Sequence, residues 1–536
     1  MHPNNEEHAI NMLSKQKLNR LYLRDTQFAK LMTKRIYNVL LIANPYDAFM
    51  LEDDGRIEEK IFIEYSSLSL RYPPRFTQVT TYEEAIEQLA LLEYDLVICM
   101  PGTGDNETFG VARSIKIQYP NIPMVILTPF SHGITKRMAN EDLSAFDYMF
   151  CWLGNTDLIV SILKLLEDKM NLEHDVQEVG VQVILLVEDG IRFYSSILPN
   201  LYKFVLQQSQ EFADEALNEH QRTLRLRGRP KIVLARTYEE AVNIYEQYKN
   251  NILGVITDVR FPLVQGQEKD PLAGIKFCHH VRKNDPFVPL IIQSAEKENT
   301  LYAKKFRAAF IDKNSKHMDL DLREILREKV GFGDFVFRNP ITHEKIATVK
   351  NLKELQHILF AIPTESFLYH ISRNHMSRWL YSRAIFPIAE FLKPITWNSL
   401  QDVDAHREII FDAIVKYRKM KNQGVVAIFR RDRFDSYSNF ARIGEGSLGG
   451  KGRGLAFLDN IIKRHPELNQ YENATVQIPK TVVLCTDFFD EFMDKNNLWS
   501  IALSDAPDEV ILQHFLKAQL PDSLIADFFT FFEAVK

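Results

Sequence analysis

The pentapeptide TYEEA occupies residues 81–85 and recurs at residues 237–241, 156 positions further along the chain. A short apolar run precedes each copy, YNVLLIA at residues 37–43 and VQVILLV at residues 181–187. A repeat whose flanks also match indicates one structural unit present twice. The first part of the chain is therefore predicted to hold two copies of one domain.

Three further pairs of apolar runs extend the repeat. Amphipathic helical stretches lie between them, for example at residues 82–92 and 238–248. Short apolar strands that alternate with helices form parallel sheets, because a crossover helix returns the chain to the same edge. We therefore predict two tandem, doubly wound α/β domains. The matching runs are 94–100 with 252–258, 124–128 with 290–294, and 148–151 with 310–313.

Composition excludes several classes of protein. The 536 residues include 46% hydrophobic and 25% charged residues, and this composition excludes a mostly disordered chain. The net charge of −6 argues against nucleic-acid or membrane-surface binding. The longest apolar runs fall far short of the ~18 residues of a membrane span, and the start of the chain lacks signal-peptide features, so we expect a cytoplasmic protein. The sequence has no CxxC pair and no Cys/His metal cluster, so it supports neither a disulfide framework nor a zinc site; the widely spaced cysteines are Cys99, Cys151, Cys278 and Cys485.

Charged residues stand at the ends of the predicted strands in the second copy. Glu188 and Asp189 follow the first strand and Asp258 ends the third, while the next two end near Ser294 and Lys313. The carboxyl ends of parallel strands meet at one edge, so these groups are expected to converge. Three carboxylates repel one another unless a cation lies between them, and oxygen ligands favour Mg²⁺. A carboxylate at this edge could also attack a phosphoryl group.

These five residues resemble the acceptor site in the receiver domain of bacterial response regulators. The resemblance implies that Asp258, in the stretch ITDVRFP, accepts a phosphoryl group. It implies that Glu188 and Asp189 hold Mg²⁺ together with Asp258, and that Lys313 and Ser294 steady the phosphoryl oxygens. It further implies a flavodoxin-like fold and a phosphodonor partner, either a histidine kinase or a small molecule.

The resemblance covers roughly residues 180–328, where Phe310 matches the switch aromatic three residues before the lysine. Three features depart from the pattern: a basic insertion near residues 221–231, a long loop after Asp258, and Asn314 in place of the usual proline. The residues alone leave an alternative open, in which the acidic groups form a solvated sheet edge without phosphotransfer.

The first copy lacks most of these groups. Met100 stands at the acceptor position and Cys151 at the lysine position, whereas Thr128 is retained. Asp47 alone is a poor Mg²⁺ site. We interpret this copy as a degenerate receiver that serves packing or dimerisation, which makes a homodimer a candidate assembly.

A glycine-rich stretch near the end of the chain, IGEGSLGGKGRGL, occupies residues 443–455 and precedes a predicted helix over residues 455–464. Glycines let a backbone approach phosphates, and a helix adds its positive N-terminus. The order differs from a P-loop, because Gly452 follows Lys451 where that motif requires serine or threonine. From the residues alone, this stretch is a weak phosphate-site candidate or a plain turn.

The order of elements over about residues 433–500 adds a resemblance. The stretches GSLGGKGRGLAFL, IPKTVVLCT and DFFDEFMDKNN resemble the start of the nucleotide-binding domain of phosphoenolpyruvate synthase and pyruvate phosphate dikinase, an ATP-grasp fold. The resemblance implies that Lys451 contacts an ATP phosphate and that Gly449, Gly450 and Gly452 shape the turn. It implies pyruvate and phosphoenolpyruvate as partners of further domains.

The chain ends at Lys536 without the arginine–serine motif of that family. We therefore expect an incomplete ATP site, and a chain that is the amino-terminal part of a longer protein or a shortened form of it.

Five regions follow from these patterns. We expect a helical extension over residues 1–36, a degenerate receiver-like domain over 37–172 and a receiver domain over 180–328. A helical linker over 329–432 follows, in which no strand alternation is evident. An incomplete ATP-grasp domain over 433–536 completes the chain.

Three functions remain open at this point. The leading hypothesis is a regulatory segment in which phosphorylation of Asp258 controls an ATP-dependent phosphotransfer domain. The second is an enzyme that interconverts pyruvate, ATP and phosphoenolpyruvate when complete, with this part inactive alone. The third is an interaction scaffold whose receivers are inert.

Overall fold

The computed structural model describes most of the chain after residue 26. The first 26 residues of the predicted extension over residues 1–36 therefore lie outside the described residues. In the rest of that extension, Gln27–Lys30 forms one 3₁₀ turn. The described residues are 27–52, 57–68, 70–101, 108–128, 141–152, 154, 156–393, 403–422, 424–431, 434, 436–471 and 473–535.

The first unit contains one five-stranded parallel sheet. Its strands are β1 (Asn38–Ala43), β2 (Arg75–Val79), β3 (Leu96–Met100), β4 (Met124–Thr128) and β5 (Tyr148–Cys151). Its helices are α1 (Pro45–Glu52), α2 (Ile57–Ser67), α3 (Tyr82–Leu91), α4 (Thr108–Gln118) and α5 (Asp157–Val179). The strand order is β2-β1-β3-β4-β5, and β3 and β4 are buried along their whole length.

The second unit repeats this topology and adds a hairpin. Its strands are β6 (Val183–Val187), β7 (Lys231–Ala235), β8 (Ile252–Asp258), β9 (Phe261–Pro262), β10 (Lys269–Asp270), β11 (Leu290–Ser294) and β12 (Ala309–Asp312). Its helices are α6 (Ile191–Ala213), α7 (Glu219–Arg227), α8 (Tyr238–Tyr248), α9 (Ala273–Asn284), α10 (Thr300–Phe306) and α11 (Met318–Ile325). The parallel sheet has the order β7-β6-β8-β11-β12. The predicted pair of flavodoxin-like, doubly wound sheets is therefore confirmed.

The repeated pentapeptide starts a helix in each unit. The Thr81 hydroxyl accepts a hydrogen bond from the Glu84 N–H at 3.2 Å, and the Thr237 hydroxyl accepts one from the Glu240 N–H at 3.1 Å. Each pair satisfies an N–H group that the first helical turn leaves without a partner. Helix capping thus explains why threonine and glutamate recur at this spacing.

A buried ionic network joins the two units. Helix α5 presents Asp168 and Asp175, both fully buried, to the start of β7. Asp168 pairs with Arg229 at 2.7 Å, and Asp175 pairs with Lys231 at 2.8 Å. The Tyr202 hydroxyl of α6 donates a hydrogen bond to Asp168 at 2.9 Å. Because buried charges are stabilised only when they are paired, these contacts fix the two units against each other.

The region predicted as a helical linker contains a hairpin that the helical interpretation missed. Strands β13 (Phe335–Arg338) and β14 (Lys345–Val349) pair antiparallel, with Phe335 and Phe337 buried. Strand β13 has four residues, which is too short for an alternation of apolar and polar residues to be recognised in the sequence. The helices that follow are α12 (Leu352–Ile358), α13 (Thr364–Ile371), α14 (His375–Ser382), α15 (Phe386–Leu392) and α16 (Val403–Asn422).

The C-terminal region holds a small parallel sheet and five helices within the described residues. Its strands, β15 (Ala427–Ile428), β16 (Phe440–Ile443) and β17 (Thr481–Leu484), are adjacent in that order. The helices are α17 (Gly449–Arg464), α18 (Thr486–Lys495), α19 (Trp499–Ala502), α20 (Asp508–Lys517) and α21 (Asp522–Val535). Among the helices in the described ranges, none combines the length and apolarity needed to span a bilayer.

Candidate functional site

A buried lysine bridges two carboxylates at the carboxyl edge of the second sheet. Glu188 directly follows β6, Asp258 ends β8, and Lys313 directly follows β12. The Lys313 Nζ atom lies 2.6 Å from Glu188 Oε2 and 2.9 Å from Asp258 Oδ2. The parallel topology therefore brings together residues that lie up to 125 positions apart in the sequence.

Glu188, Asp189 and Asp258 form an acidic cluster. One carboxylate oxygen from each lies within 4.8 Å of the others, and this is the one such group of three potential metal ligands in the described part of the chain. Asp189 Oδ2 pairs with Lys269 at 2.7 Å, whereas its Oδ1 is buried without a hydrogen-bond partner among the described residues. A buried oxygen without a partner next to two further carboxylates fits a hard cation such as Mg²⁺.

Burial governs the charge of Glu188, which is 0% exposed. Desolvation raises the pKa of Glu188 to about 7, while the Lys313 ammonium acts in the opposite direction and the Asp258 carboxylate raises the pKa further. The Gly190 N–H and the Gln293 side chain donate hydrogen bonds to Glu188 at 3.0 and 2.9 Å. A cation in the cluster would favour the ionised form.

The backbone around Asp258 leaves no room for a side chain at position 274. A Cβ at Gly274, near the start of α9, would lie 1.9 Å from the Asp258 carbonyl oxygen. The Gly274 N–H donates to the Val259 carbonyl at 3.0 Å, and the Val259 N–H donates to Asp258 Oδ1 at 2.7 Å. Glycine at position 274 thus allows α9 to pack against the turn that orients Asp258.

Ser294 lies at the same edge, at the end of β11. Its hydroxyl accepts hydrogen bonds from the Glu296 N–H at 3.1 Å and the Asn299 side chain at 2.9 Å, and its carbonyl accepts the Lys313 N–H at 3.0 Å. Phe310 is half-buried and packs against the core of the second unit. The Ser294 hydroxyl therefore makes its hydrogen bonds within the segment that directly follows β11.

Three contributors to this site were not anticipated from the sequence. The Phe193 ring, in the first turn of α6, lies 4.3 Å from Lys313 Nζ. Lys269 of the β9–β10 hairpin pairs with Asp189, and Gln293 holds Glu188. The long loop after Asp258 was the only signal that an additional group would enter the site.

The corresponding edge of the first unit is buried and carries different groups. Met100 and Cys151 are buried, and the buried Thr128 hydroxyl has no hydrogen-bond partner in the part of the chain that the structure describes. The Cys151 N–H donates to the Ser195 hydroxyl of α6 at 2.9 Å, and the Tyr194 hydroxyl, also on α6, donates to a carbonyl of β5. This edge therefore packs against the helix that follows the acidic pair of the second unit.

The glycine-rich stretch forms the start of α17. The helix begins at Gly449, which has a φ of 70°, so Gly450, Lys451 and Gly452 lie in its first turn rather than in a loop before it. This is six residues earlier than the predicted start at residue 455. A Cβ at Gly449 or Gly450 would meet open space, whereas one at Gly452 would contact Val483 at 3.2 Å.

The turn before α17 is held by the start of α18. The Glu445 N–H donates to Asp487 at 2.8 Å, and the Ser447 N–H donates to the Thr486 hydroxyl at 3.0 Å. Lys451 is exposed at the helix start. A basic side chain and the N–H groups at a helix N-terminus can bind a phosphate. The ATP site at Lys451 stays a prediction.

No protein-family model matches the chain, and no curated protein matches it. Two solved structures, each described as a two-component system response regulator/GGDEF domain protein, share 16% sequence identity with it and match it over 54% of this chain and 98% of their own. Their TM-scores are 0.23 and 0.24. The strand order described above, and not these likenesses, establishes the two α/β units.

Proposed function

We propose that the second unit is a Mg²⁺-dependent phosphoacceptor and that Asp258 accepts the phosphoryl group. One observation carries the proposal: the buried Lys313 ammonium contacts both Asp258 and Glu188, next to the buried Asp189 oxygen for which the described residues provide no hydrogen-bond partner. A structural ion pair needs neither a third carboxylate nor an oxygen left unsatisfied.

The reaction is a phosphoryl transfer from an acyl phosphate or a phosphohistidine. An Asp258 carboxylate oxygen attacks the phosphorus atom, the O–P bond forms, and the bond to the donor oxygen or nitrogen breaks with its electron pair leaving on the donor. Lys313 offsets the negative charge that accumulates at Asp258. Bound Mg²⁺, held by Glu188, Asp189 and Asp258, would supply further charge neutralisation. The expected partner is a histidine kinase or a small phosphodonor.

Helix α6 provides a route by which phosphorylation could alter the first unit. Its first turn carries Phe193, which contacts Lys313, and the next turn carries Ser195, which accepts the Cys151 N–H of β5. A phosphoryl group on Asp258 competes for the Lys313 ammonium. Movement of Lys313 would change its contact with Phe193 and bias the packing between the units.

The C-terminal region contributes a second element of the proposed function. The arrangement of β16, a turn and the glycine-containing start of α17, with Lys451 exposed, supports a nucleotide-binding segment resembling that of phosphoenolpyruvate synthase. In this account the phosphorylation state of Asp258 regulates ATP-dependent phosphotransfer, with pyruvate or phosphoenolpyruvate as substrate of further domains.

The test is incubation of the full chain with acetyl phosphate, with and without MgCl₂, followed by intact-mass spectrometry. We expect one acid-labile phosphoryl adduct that requires Mg²⁺ and is absent from Asp258→Asn. Asp47→Asn, in the first unit, is the matched control and should be modified like the wild type. An unmodified wild type would overturn the proposal in favour of inert receivers that act as a scaffold.

A further inference from the structure

A cavity of about 320 Å³ lies between the two units. Its walls come from the segment before β1, from the chain that follows α2, from α5 and α6, and from the basic helix α7 with the turn after it. It shares no lining residue with the Glu188–Asp258 site. A volume of this size is at the lower end of the range of small-molecule pockets.

The walls of the cavity carry an excess of positive charge. Six cationic side chains line it, against two carboxylates, Glu167 and Glu219. Three of the cations are already paired with carboxylates at 3.0 Å or less, and these are Lys164, Arg222 and Arg229. The remaining three guanidinium groups therefore determine what the cavity attracts.

Arg35, Arg71 and Arg227 make no ion pair with any described carboxylate. Arg71 donates to the Thr223 hydroxyl at 3.1 Å, Arg227 donates to the Ala29 carbonyl at 2.8 Å, and Arg35 makes one long hydrogen bond to a main-chain carbonyl. Each guanidinium has five N–H donors, so most of this donor capacity is unused. Three such groups around one cavity match a ligand with several anionic oxygens.

One of these groups is partly desolvated. The Nε atom of Arg227 is buried and has no hydrogen-bond partner within the described ranges. Burial lowers the pKa of Arg227, and the neighbouring charges of Arg35 and Arg71 lower it further. A buried donor without a partner and like charges at close range are both unfavourable, and an anion bound between the arginines would relieve both.

The rest of the lining is apolar. Leu68, Leu70, Leu206 and Leu226 contribute to the walls, and the exposed ring of Tyr72 adds an aromatic group. Inorganic phosphate alone would use none of this surface. A ligand that combines phosphates with a planar apolar group would use both parts, since arginine planes and tyrosine rings also stack on such groups.

We infer that this cavity binds a phosphorylated small molecule of the nucleotide class, with its phosphates on Arg35, Arg71 and Arg227 and its planar group against the leucine side chains. The site is separate from the acceptor Asp258 and from the glycine-containing helix start at Lys451. It would give the pair of α/β units a small-molecule input in addition to phosphorylation.

Calorimetric titration of the full chain with ADP, and separately with inorganic pyrophosphate, tests the inference. Mg²⁺ is left out so that the acidic cluster does not contribute. We expect saturable binding of one ADP, tighter than pyrophosphate and weakened by added salt. Arg71→Gln combined with Arg227→Gln should lower the ADP affinity at least tenfold. Arg71→Gln alone, at an exposed position, should lower it without affecting the fold, as checked by thermal melting.

Two matched controls locate the binding. Lys451→Gln removes the lysine of the other nucleotide candidate, and the ADP binding that the arginine variants weaken should persist in it; Lys297→Gln, at an exposed position outside both nucleotide candidates, should bind ADP like the wild type. Absence of saturable ADP binding would overturn the inference, as would a loss of binding in Lys451→Gln that the arginine variants do not show. Equal affinities for ADP and pyrophosphate would contradict the assignment to the nucleotide class.

Discussion

The Nζ atom of Lys313 lies 2.9 Å from the Oδ2 atom of Asp258, and the Lys313 side chain is only 4% exposed. The same ammonium also contacts Glu188 at 2.6 Å. A buried cation shared by two carboxylates compensates their repulsion, and it is positioned to pair with new negative charge on Asp258. This single group therefore links the stability of the site to its proposed chemistry.

Removal of the shared cation should destabilise the second unit. Lys313→Met leaves the buried Glu188 carboxylate and the partly exposed Asp258 carboxylate without their partner, which is expected to cost about 3–5 kcal/mol. Added MgCl₂ should restore part of the loss, because a cation in the cluster replaces the missing charge. Urea unfolding with and without Mg²⁺ measures both effects. Lys297→Met, which removes an exposed lysine at 3.8 Å from Asp312, is the control and should change little. Equal effects of the two substitutions would contradict this role of Lys313.

Lys269 should compete with Mg²⁺ for Asp189. Its ammonium lies 2.7 Å from Asp189 Oδ2 and is about half exposed. Because an exposed ion pair contributes about 0.2–1 kcal/mol, Lys269→Ala should tighten Mg²⁺ binding by up to about fivefold. Asp189→Asn should weaken it by more than about tenfold, since it removes a ligand charge. Calorimetric Mg²⁺ titrations of both variants test this, with Asp47→Asn as the control. Unchanged affinity in Asp189→Asn would remove Asp189 from the metal site.

Gly274 should be intolerant of even the smallest side chain. Its Cβ would lie 1.9 Å from the Asp258 carbonyl oxygen, so α9 or the acceptor turn must shift in Gly274→Ala. We expect a loss of about 1–3 kcal/mol or more and weaker Mg²⁺ binding. In Gly454→Ala, within α17, the new Cβ meets open space, and this substitution should stabilise the protein by about 0.5–1 kcal/mol. Thermal melting compares the two, and a neutral Gly274→Ala would show that the close approach is absent.

Two histidines in the region after the second unit, the buried His370 and the half-buried His375, should make the protein sensitive to acid. His370 accepts a hydrogen bond at Nε2 from the Arg338 N–H at 3.0 Å, and its Nδ1 lies 3.1 Å from Nδ1 of His375. Burial is the largest cause that lowers the pKa of His370 to about 4 and that of His375 to about 3. Both rings are therefore neutral in the fold.

The sign of the pH dependence follows from these values. The unfolded chain binds protons at these histidines below about pH 6.5, whereas the folded chain does not, so stability falls as the pH decreases from 6.5 towards 4. The loss between pH 7 and pH 5 should be about 2 kcal/mol per histidine. Urea unfolding measured at each pH by tryptophan fluorescence, to which Trp379 next to this pair contributes, should show a smaller acid loss for His370→Gln combined with His375→Gln. The exposed His317→Gln should behave like the wild type, and an unchanged slope in the double variant would contradict the account.

The sequence was sufficient to predict the two sheets and the ends of their strands. Buried parallel strands appear as continuous apolar runs, and polar residues at their ends mark one edge, so Glu188, Asp258 and Lys313 could be placed together. Ser294 could also be placed at this edge, but its hydrogen bonds to Glu296 and Asn299 depend on the loop conformation. The individual contacts could not be predicted, because they depend on side-chain direction.

Tertiary packing determines what the sequence did not indicate. The pairing of Lys269 with Asp189 requires the β9–β10 hairpin to fold over the acidic pair. The network between the units depends on Asp168 and Asp175, which a helix pattern alone assigns to a solvated face. Their seven-residue spacing places both on one face of α5, but only the arginine and lysine at the start of β7 explain their burial.

Chemical trapping of the acyl phosphate tests the central claim most directly. The full chain is treated with acetyl phosphate and MgCl₂, reduced with borohydride, digested and analysed by peptide mass spectrometry. The account predicts that Asp258 alone is converted to homoserine, only when Mg²⁺ is present, and not in Asp189→Asn at the same Mg²⁺ concentration. Homoserine at another aspartate, or none at position 258, would contradict the assignment of Asp258 as the phosphoacceptor.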